Sequence, residues 1–373
     1  MTEIQIMVLP PPVEDLLPQI YLDDDGIWRD ATASQAVVVN TQSKMKKDIE
    51  AHLDPLMRRV GATPPQPVQP ESIGFRDPFK TMFQDLLPID VRQALSAAAT
   101  AADAKPAEPR PLLKIFLTPG ADWIPWELLY DGKGFLGLRF AITRLPILKQ
   151  ATEVRGDRAR QVRSVYSLLA NNILQDGIFA DWEGTFTQFA RPANWERRFP
   201  AAAGQAFPTT TQLDEARDAD ILHVTCHGGM KDQGSDALHW TLDDMNRQVI
   251  DYRITASMAE HSEFGARPLV FGNACASTSA QSNPAVLHGF GPSFMVGGAL
   301  NFVGTFAPVT RTMAVQFARR FYANLFGSGA AAAMNVSHAL WATKKSFQAE
   351  NANDPSYLFY CLYGPHDTTY TPV

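Results

Sequence analysis

Three cysteines in 373 residues, Cys226, Cys275 and Cys361, are too few and too scattered for a disulfide framework. That usage fits a reducing compartment where thiols stay free. Long apolar runs are missing as well, since no window approaches the roughly 18 unbroken apolar residues of a membrane span. The opening residues MTEIQIMVLPPPVEDLL have no basic start followed by an apolar stretch, so no export signal is read there. Nor is there a large excess of either charge. With 33 Lys and Arg against 39 Asp and Glu, the formal net charge of −6 leaves no electrostatic footprint for nucleic acid or an anionic membrane. No repeat of about 34 residues or any other internal period is found, which excludes a solenoid. These absences together describe a cytoplasmic chain whose partners are proteins or small molecules, with no direct nucleic-acid or membrane partner.

What is present is an ordinary globular composition, 45% apolar and 19% charged. The length suits one large or two moderate domains. Proline marks the first boundary: ATPPQPVQP, from Ala62 to Pro70, cannot continue a helix and reads as a stiff extended linker. Three stretches result: an N-terminal extension or small subdomain over 1–61, a Pro-rich linker over 62–72 and a main domain over 73–373. In the first, EIQIMVL and AVVVN read as extended, and SKMKKDIEAHLDPLMRRV as a helix closed by Gly61. This extension is either a docking or inhibitory element or a structural cover for a sheet edge.

The main domain starts with a helical stretch over Asp77 to Ala102 and a polar loop, DAKPAEPRP. Beyond it, strand-length apolar runs alternate with longer amphipathic segments. LLKIFL, FAITRLPIL, SVYSLLA, ILHVTC, PLVFGNA and LNFVGTF read as strands; TTQLDEARD, DYRITASMAEHS and PAVLHGFGPSFMVGG read as helical or partly so. Such alternation predicts an α/β fold with a mostly parallel sheet flanked by helices. The clearest helix is RTMAVQFARRFYANLFG, where Met313, Phe317, Phe321 and Leu325 recur every fourth residue as a core stripe and Gly327 can cap the end.

Two strands end in turns loaded with chemistry. ILHVTCHGG sets His227 before two glycines, and PLVFGNACAS sets Cys275 just after its apolar run. In open α/β sheets, sites assemble beyond the carboxyl ends of strands, so neighbouring parallel strands would bring the two side chains together. A free cysteine titrates at about 8.5 and the thiolate is the nucleophile, so a nearby imidazole that accepts the proton activates it. Glycine after His227 allows close approach to a substrate carbonyl, and the amides of Gly228 and Cys275 are candidate oxyanion donors. Each residue also has a plainer reading: Cys275 as a small core hydrophobe, His227 as a turn residue. His223 and His227 stand four apart, but on a strand that spans roughly 13 Å, too far for one zinc ion. No metal and no cofactor is expected. Cys226 and Cys361 read as packing. No G-x-S-x-G elbow surrounds any serine, which disfavours a serine hydrolase of another α/β fold.

These residues resemble the CHAT domain, a caspase-like group related to caspases, separases and gingipains. Cys275 follows His227 by 48 positions, close to the histidine-to-cysteine separation of about 50 in caspases. The likeness extends to ordered blocks: DWIPWELLYDGKGFLGLRFAITRLP from Asp122 to Pro146, ADILHVTCHGG, RPLVFGNACAS, and MVGGALNFVGTFAPV followed by the helix through Phe317 and Tyr322. Similarity runs from roughly Ile73 to Tyr363. It implies a caspase-like three-layer sandwich with a small N-terminal extension. It also implies a cysteine endopeptidase with His227 as general base or acid, Cys275 as nucleophile and Gly228 at the oxyanion site. Trp126 and Glu127 match the early block, as a buried pair or on the substrate side. One departure touches the substrate groove: Ala307-Pro308-Val309-Thr310 stands where members commonly carry Trp-Pro-Val-Asp.

Relatives that cut after a basic residue need a buried acid in the primary pocket. Asp232, Asp236, Asp243 and Asp244 are the candidates here, with Asn273 two residues before the cysteine in place of the acid of metacaspases. The family further implies a protein substrate, an activating or inhibitory protein partner, and a regulated effector in bacterial defence or cell death. A different class of function stays open beside it, a non-catalytic CHAT-fold scaffold or adaptor that binds a protein partner.

Overall fold

The computed structural model describes residues 2–9, 19–24, 27–30, 51, 68–70, 72–106, 108–118, 122–147, 159–169, 197–198, 216–230, 238–241, 249–251, 265–274, 290–328, 332–350 and 353–373. The apolar runs become the strands of one large sheet. At the N-terminus lie β1 (Glu3–Leu9), β2 (Gln19–Asp24) and β3 (Ile27–Asp30). Then come β4 (Leu112–Leu117), β5 (Ala141–Pro146), β6 (Ala159–Val162), β7 (Val165–Leu169) and β8 (Arg197–Arg198). The run ILHVT forms β9 (Ile221–Thr225), followed by β10 (His227–Met230), β11 (Leu238–Thr241) and β12 (Val249–Asp251). LVFGN forms β13 (Leu269–Asn273), NFVGT forms β14 (Asn301–Thr305), and β15 (Tyr360–Tyr363) and β16 (Thr369–Pro372) close the chain.

Among the described residues the main sheet has eleven strands in the order β3-β2-β1-β4-β5-β15-β14-β13-β9-β7-β8. β1, β4, β5 and β15 run parallel to one another, and so do β14, β13, β9, β7 and β8. The two blocks meet head to tail where β14 pairs antiparallel with β15, from Phe302↔Tyr363 to Thr305↔Tyr360. The sheet is thus mostly parallel, with one reversal at its centre and an antiparallel β2 near the edge. Residues 3–9, assigned by sequence to an extension, pair with β4 from Glu3↔Leu112 to Val8↔Leu117, so this segment contributes a strand to the main sheet.

β9, β13 and β14 are buried at every position. Strands covered on both faces need continuous apolar runs, which is why these were readable. Along β13 successive residues serve opposite faces. Leu269 and Phe271 join a cluster with Phe317, Phe321 and Tyr322, while Val270 and Ala274 join another with Phe290 and Phe294. Helices therefore cover both faces, giving three layers.

The stretch expected as one helix over 77–102 is two, α1 (Ile73–Leu86) and α2 (Ile89–Asp103). Pro88 is the cause: it drives the preceding Leu87 out of the helical region, to φ −93° and ψ 128°. A single turn, α3 (Leu136–Arg139), precedes β5; α4 (Phe290–Val296) precedes β14. α5 (Arg311–Phe326) starts at Thr310, whose hydroxyl oxygen accepts from the Met313 amide at 3.2 Å, and buries Met313, Phe317, Phe321 and Leu325. Gly327, with φ 77°, ends it. α6 (Val336–Glu350) packs against α5. SYLFYCLYG splits into a 3-10 turn over Pro355–Phe359 and then β15. The helix expected near residues 44–60 lies outside the described residues except for Ala51.

Candidate active site

β9 and β13 are direct neighbours, parallel, in register from Leu269↔Ile221 to Asn273↔Thr225. Their carboxyl ends therefore lie at the same edge of the sheet, each one short step before a candidate residue. After β9, Cys226 is buried in the cluster that contains Trp240 and Phe294. His227 then opens β10, part of a small antiparallel sheet β10-β11-β12, where His227 pairs with Thr241 and Gly228 with Trp240. After β13 the description runs through Ala274. Cys275, Asp232, Asp236, Asp243 and Asp244 lie outside the described residues.

Trp240 fastens the small sheet to the large one. Its ring is fully buried, stacked on Phe290 at 3.9 Å and on Phe294 at 5.7 Å. It also lies over Gly272, where an added Cβ would come within 2.9 Å of Trp240 Cζ2. Only a residue without a side chain leaves room there, so the glycine three positions before Cys275 admits the tryptophan that faces Gly228 across the ladder. Neither residue stood out in the sequence, although a tryptophan inside the polar run DALHWTLDD was the available signal.

Asn273 is 3% exposed, and its amide is used within the protein. Nδ2 donates to the Ala314 carbonyl at 3.0 Å and Oδ1 accepts from the Tyr360 hydroxyl at 2.9 Å. One residue on, the Thr305 hydroxyl donates to the Ala274 carbonyl at 2.8 Å. The approach to Cys275 is thus tied to β14, β15 and α5 by neutral hydrogen bonds.

His223 is fully buried beneath this edge. Its Nδ1 lies 2.9 Å from the Tyr322 hydroxyl and its Nε2 3.0 Å from Thr225 Oγ1, with the ring stacked on Phe271 at 4.9 Å. Burial holds its pKa well below the ordinary imidazole value, so it is neutral. With both nitrogens engaged, it is a core histidine rather than a metal ligand. Among the described residues no three His, Cys, Asp or Glu side chains gather as a metal site. Cys361 is buried in β15, its thiol 3.6 Å from the Gly304 carbonyl.

The early block lies elsewhere. Trp126 and Glu127 are both fully buried. Arg144 of β5 donates through Nη2 to Glu127 at 2.5 Å and through Nη1 to Asp122 at 3.1 Å, and the Tyr363 hydroxyl donates to Asp122 at 2.5 Å. Burial pushes the Asp122 carboxyl up to about 6 against the opposing pull of Arg144. It also lowers the nearby Lys344 ammonium to about 8, with Glu127 opposing that shift. Glu127 is an interior anchor here, and the block ties β5 to the end of β15.

No described helix is long and apolar enough to cross a membrane. Among solved structures, the chain is similar to the separase of the Saccharomyces cerevisiae separase–securin complex, at 12% identity and TM-score 0.44, covering 89% of this chain and 23% of that one. It is also similar to the complex of Porphyromonas gingivalis RgpB pro- and mature domains, at 10% identity and TM-score 0.49, covering 88% and 78%. A third similar structure is the Arg-specific cysteine proteinase gingipain R, at 10% identity and TM-score 0.46, covering 88% and 76%. The chain spans less than a quarter of the separase chains it matches, 23% and 22%. Among curated proteins none matches. Residues 76–361 match the family model of the CHAT domain, and the chain belongs to the CHAT domain family.

Proposed function

We propose that this chain is a cysteine endopeptidase in which Cys275 attacks a peptide carbonyl with His227 as its proton partner. The single observation that supports it most is the parallel register that sets Asn273 level with Thr225. Each chain runs on two residues to its candidate, His227 after Thr225 and Cys275 after Asn273, from the ends of neighbouring strands about 4.8 Å apart. The imidazole takes the thiol proton, and sulfur forms a bond to the carbonyl carbon as the π pair moves to oxygen. Collapse breaks the C–N bond, and the imidazolium proton goes to the departing amine. Water then attacks the thioester, gives its proton to the imidazole, and the C–S bond breaks to return the thiolate and release the acid. Gly228 and the Cys275 amide supply hydrogen bonds to the oxyanion.

The substrate of this reading is a protein, cut with a preference for a basic residue through one of Asp232, Asp236, Asp243 or Asp244. The family resemblance further supports a regulated effector of bacterial defence or cell death, controlled by a protein partner. The test is a library of fluorogenic peptides offered to the wild type, Cys275→Ala and His227→Ala, alongside intact-mass labelling with a peptide ketone. Cleavage lost in both variants, with Cys275 labelled in the wild type, is the expected result. A wild type that neither cleaves nor labels at Cys275 overturns the reading in favour of a non-catalytic scaffold or adaptor.

A further inference from the structure

We propose that His338 is a proton-operated latch on the first turn of α6: its imidazolium holds the helix cap and the entry to β4 together, and its neutral ring lets go of the cap. The latch shares no residue with the peptidase reading. Each amide at the start of α6 has a partner. Val336 N donates to the Thr368 carbonyl at 2.9 Å and Ser337 N to the His366 carbonyl at 3.3 Å. His338 N donates to Asn335 Oδ1 at 3.0 Å, which makes Asn335 the cap. The start of the helix thus carries the turn that leads into β16.

The buried ring of His338 sits between two acceptors. Nδ1 lies 2.9 Å from Asn335 Oδ1, and Nε2 lies 3.2 Å from the Arg110 carbonyl, just before β4. A backbone N–H can only donate, so the Asn335 atom that receives the His338 amide is the oxygen and not the nitrogen. Both ring contacts are hydrogen bonds only when both nitrogens carry protons, whereas a neutral ring has one proton for two acceptors. Asn335 Oδ1 also takes the Ser337 hydroxyl at 3.1 Å, so two donors already fill its two lone pairs. The ring's bond to the cap is therefore the one that goes. The neutral form keeps Nε2–H on Arg110 and turns a bare Nδ1 toward the cap oxygen.

The surroundings make the second proton easy to remove. Burial lowers the His338 pKa, with the Arg110 carbonyl opposing. A cation near the amino end of a helix also meets the positive end of its dipole. His366 is lowered by burial, by Lys114 of β4 and by His338 itself, against Asp367 and Glu3 of β1. The Arg110 guanidinium lies over Trp341 at 5.9 Å and pairs with Asp103 of α2 at 2.6 Å.

The test is the ring ¹⁵N spectrum of His338 in the full chain, followed across pH. The expected result is a neutral ring with its proton on Nε2 that takes up a second on Nδ1 at a midpoint below the ordinary 6.5. Exchange of the Val336, Ser337 and His338 amides, corrected for its intrinsic dependence on pH, should slow about 2- to 10-fold as pH falls through that midpoint, as one added hydrogen bond predicts. His338→Gln, which does not titrate, should lose that step, and His366→Gln should keep it. Asn335→Asp preserves the cap and sets a carboxylate against Nδ1, so it should raise the His338 midpoint by about 1–3 pH units. A neutral ring protonated on Nδ1 overturns the proposal, as does a ring that stays neutral down to acid unfolding. So does an exchange step that persists in His338→Gln or vanishes in His366→Gln, or a midpoint unmoved in Asn335→Asp.

Discussion

The two blocks of the sheet are tied by different chemistry. Around β5 and β15 the ties are ionic. The buried charged side chains among the described residues, Asp122, Glu127, Asp131, Arg139, Arg144 and Lys344, all belong to this half. At the carboxyl ends of β9, β13 and β14 the ties are neutral: an amide, two threonine hydroxyls, two tyrosines and an uncharged histidine. A buried charge acts at long range through a low-dielectric interior, whereas a neutral hydrogen bond acts on its partner alone. On the peptidase reading, neutral bonds among the described residues fix the backbone of the second edge without adding a field to the proton that Cys275 and His227 would share. The first half, which that reading leaves without a reacting proton, carries salt bridges.

The largest expected effect breaks the ionic half. Arg144→Met leaves Asp122 and Glu127 buried without their guanidinium, and removing one partner of a buried pair typically costs about 3–5 kcal/mol. Urea unfolding should show that loss, while Cys275 in the still-folded protein keeps its alkylation rate. Adding Asp122→Asn and Glu127→Leu should recover most of it, since an apolar replacement of the whole cluster can be near neutral. A loss below about 1 kcal/mol would place the ties of this half elsewhere.

A smaller effect probes the join between the large and small sheets. Gly272→Ala would place a Cβ 2.9 Å from Trp240 Cζ2 and 3.0 Å from Phe302 Cζ, both ring atoms packed in the core. Overpacking of this kind costs about 1–3 kcal/mol. Because Trp240 stands opposite Gly228, the peptidase reading also expects a fall in kcat out of proportion to the stability change. Peptide turnover measured well below the melting temperature separates the two, and unchanged turnover would mean that Trp240 does not set the position of Gly228.

β9, β13 and β14 were legible because a strand buried on both faces must be apolar throughout, and α5 because it carries its stripe every fourth residue; most of TTQLDEARD and DYRITASMAEHS, read as helical, lies outside the described residues. His227 and Cys275 drew notice in the sequence because reactive side chains beside glycine and alanine interrupt apolar runs; His227 opens β10, and Cys275 lies outside the described residues. The ties were not, because their partners lie far apart in sequence: Thr305 to Ala274 spans 31 positions, Tyr360 to Asn273 87, and Arg144 to Tyr363 219. No local pattern announces such a bond. The reversal between β14 and β15 was hidden for a related reason: strand direction depends on how the chain crosses the sheet, and β15 reads as one more apolar run. Pro88 was visible, and its effect on Leu87 could have divided α1 from α2 in advance.

The smallest expected effect lies in the response of the two halves to acid, where the shifts have opposite signs. The Asp122 carboxyl sits at about 6 in the fold against an ordinary value of 3.8. Between those values the folded chain holds more protons than the unfolded one. Its contribution to stability is therefore full below 3.8 and lost as pH rises through 6. His223 is held well below its ordinary 6.5. Its contribution is full above 6.5 and is lost as pH falls toward the folded value, because the unfolded chain takes up the proton first. In the wild type the two slopes oppose each other on the acid side of neutrality. Asp122→Asn removes only the first, so its unfolding free energy should fall more steeply than that of the wild type between pH 6.5 and 4. Urea titrations at several pH values across that window measure both slopes directly. Parallel curves for the two proteins would mean that Arg144 and the Tyr363 hydroxyl keep Asp122 ionised across the whole range. The ionic half would then be indifferent to acid, and the pH response would belong to the neutral half.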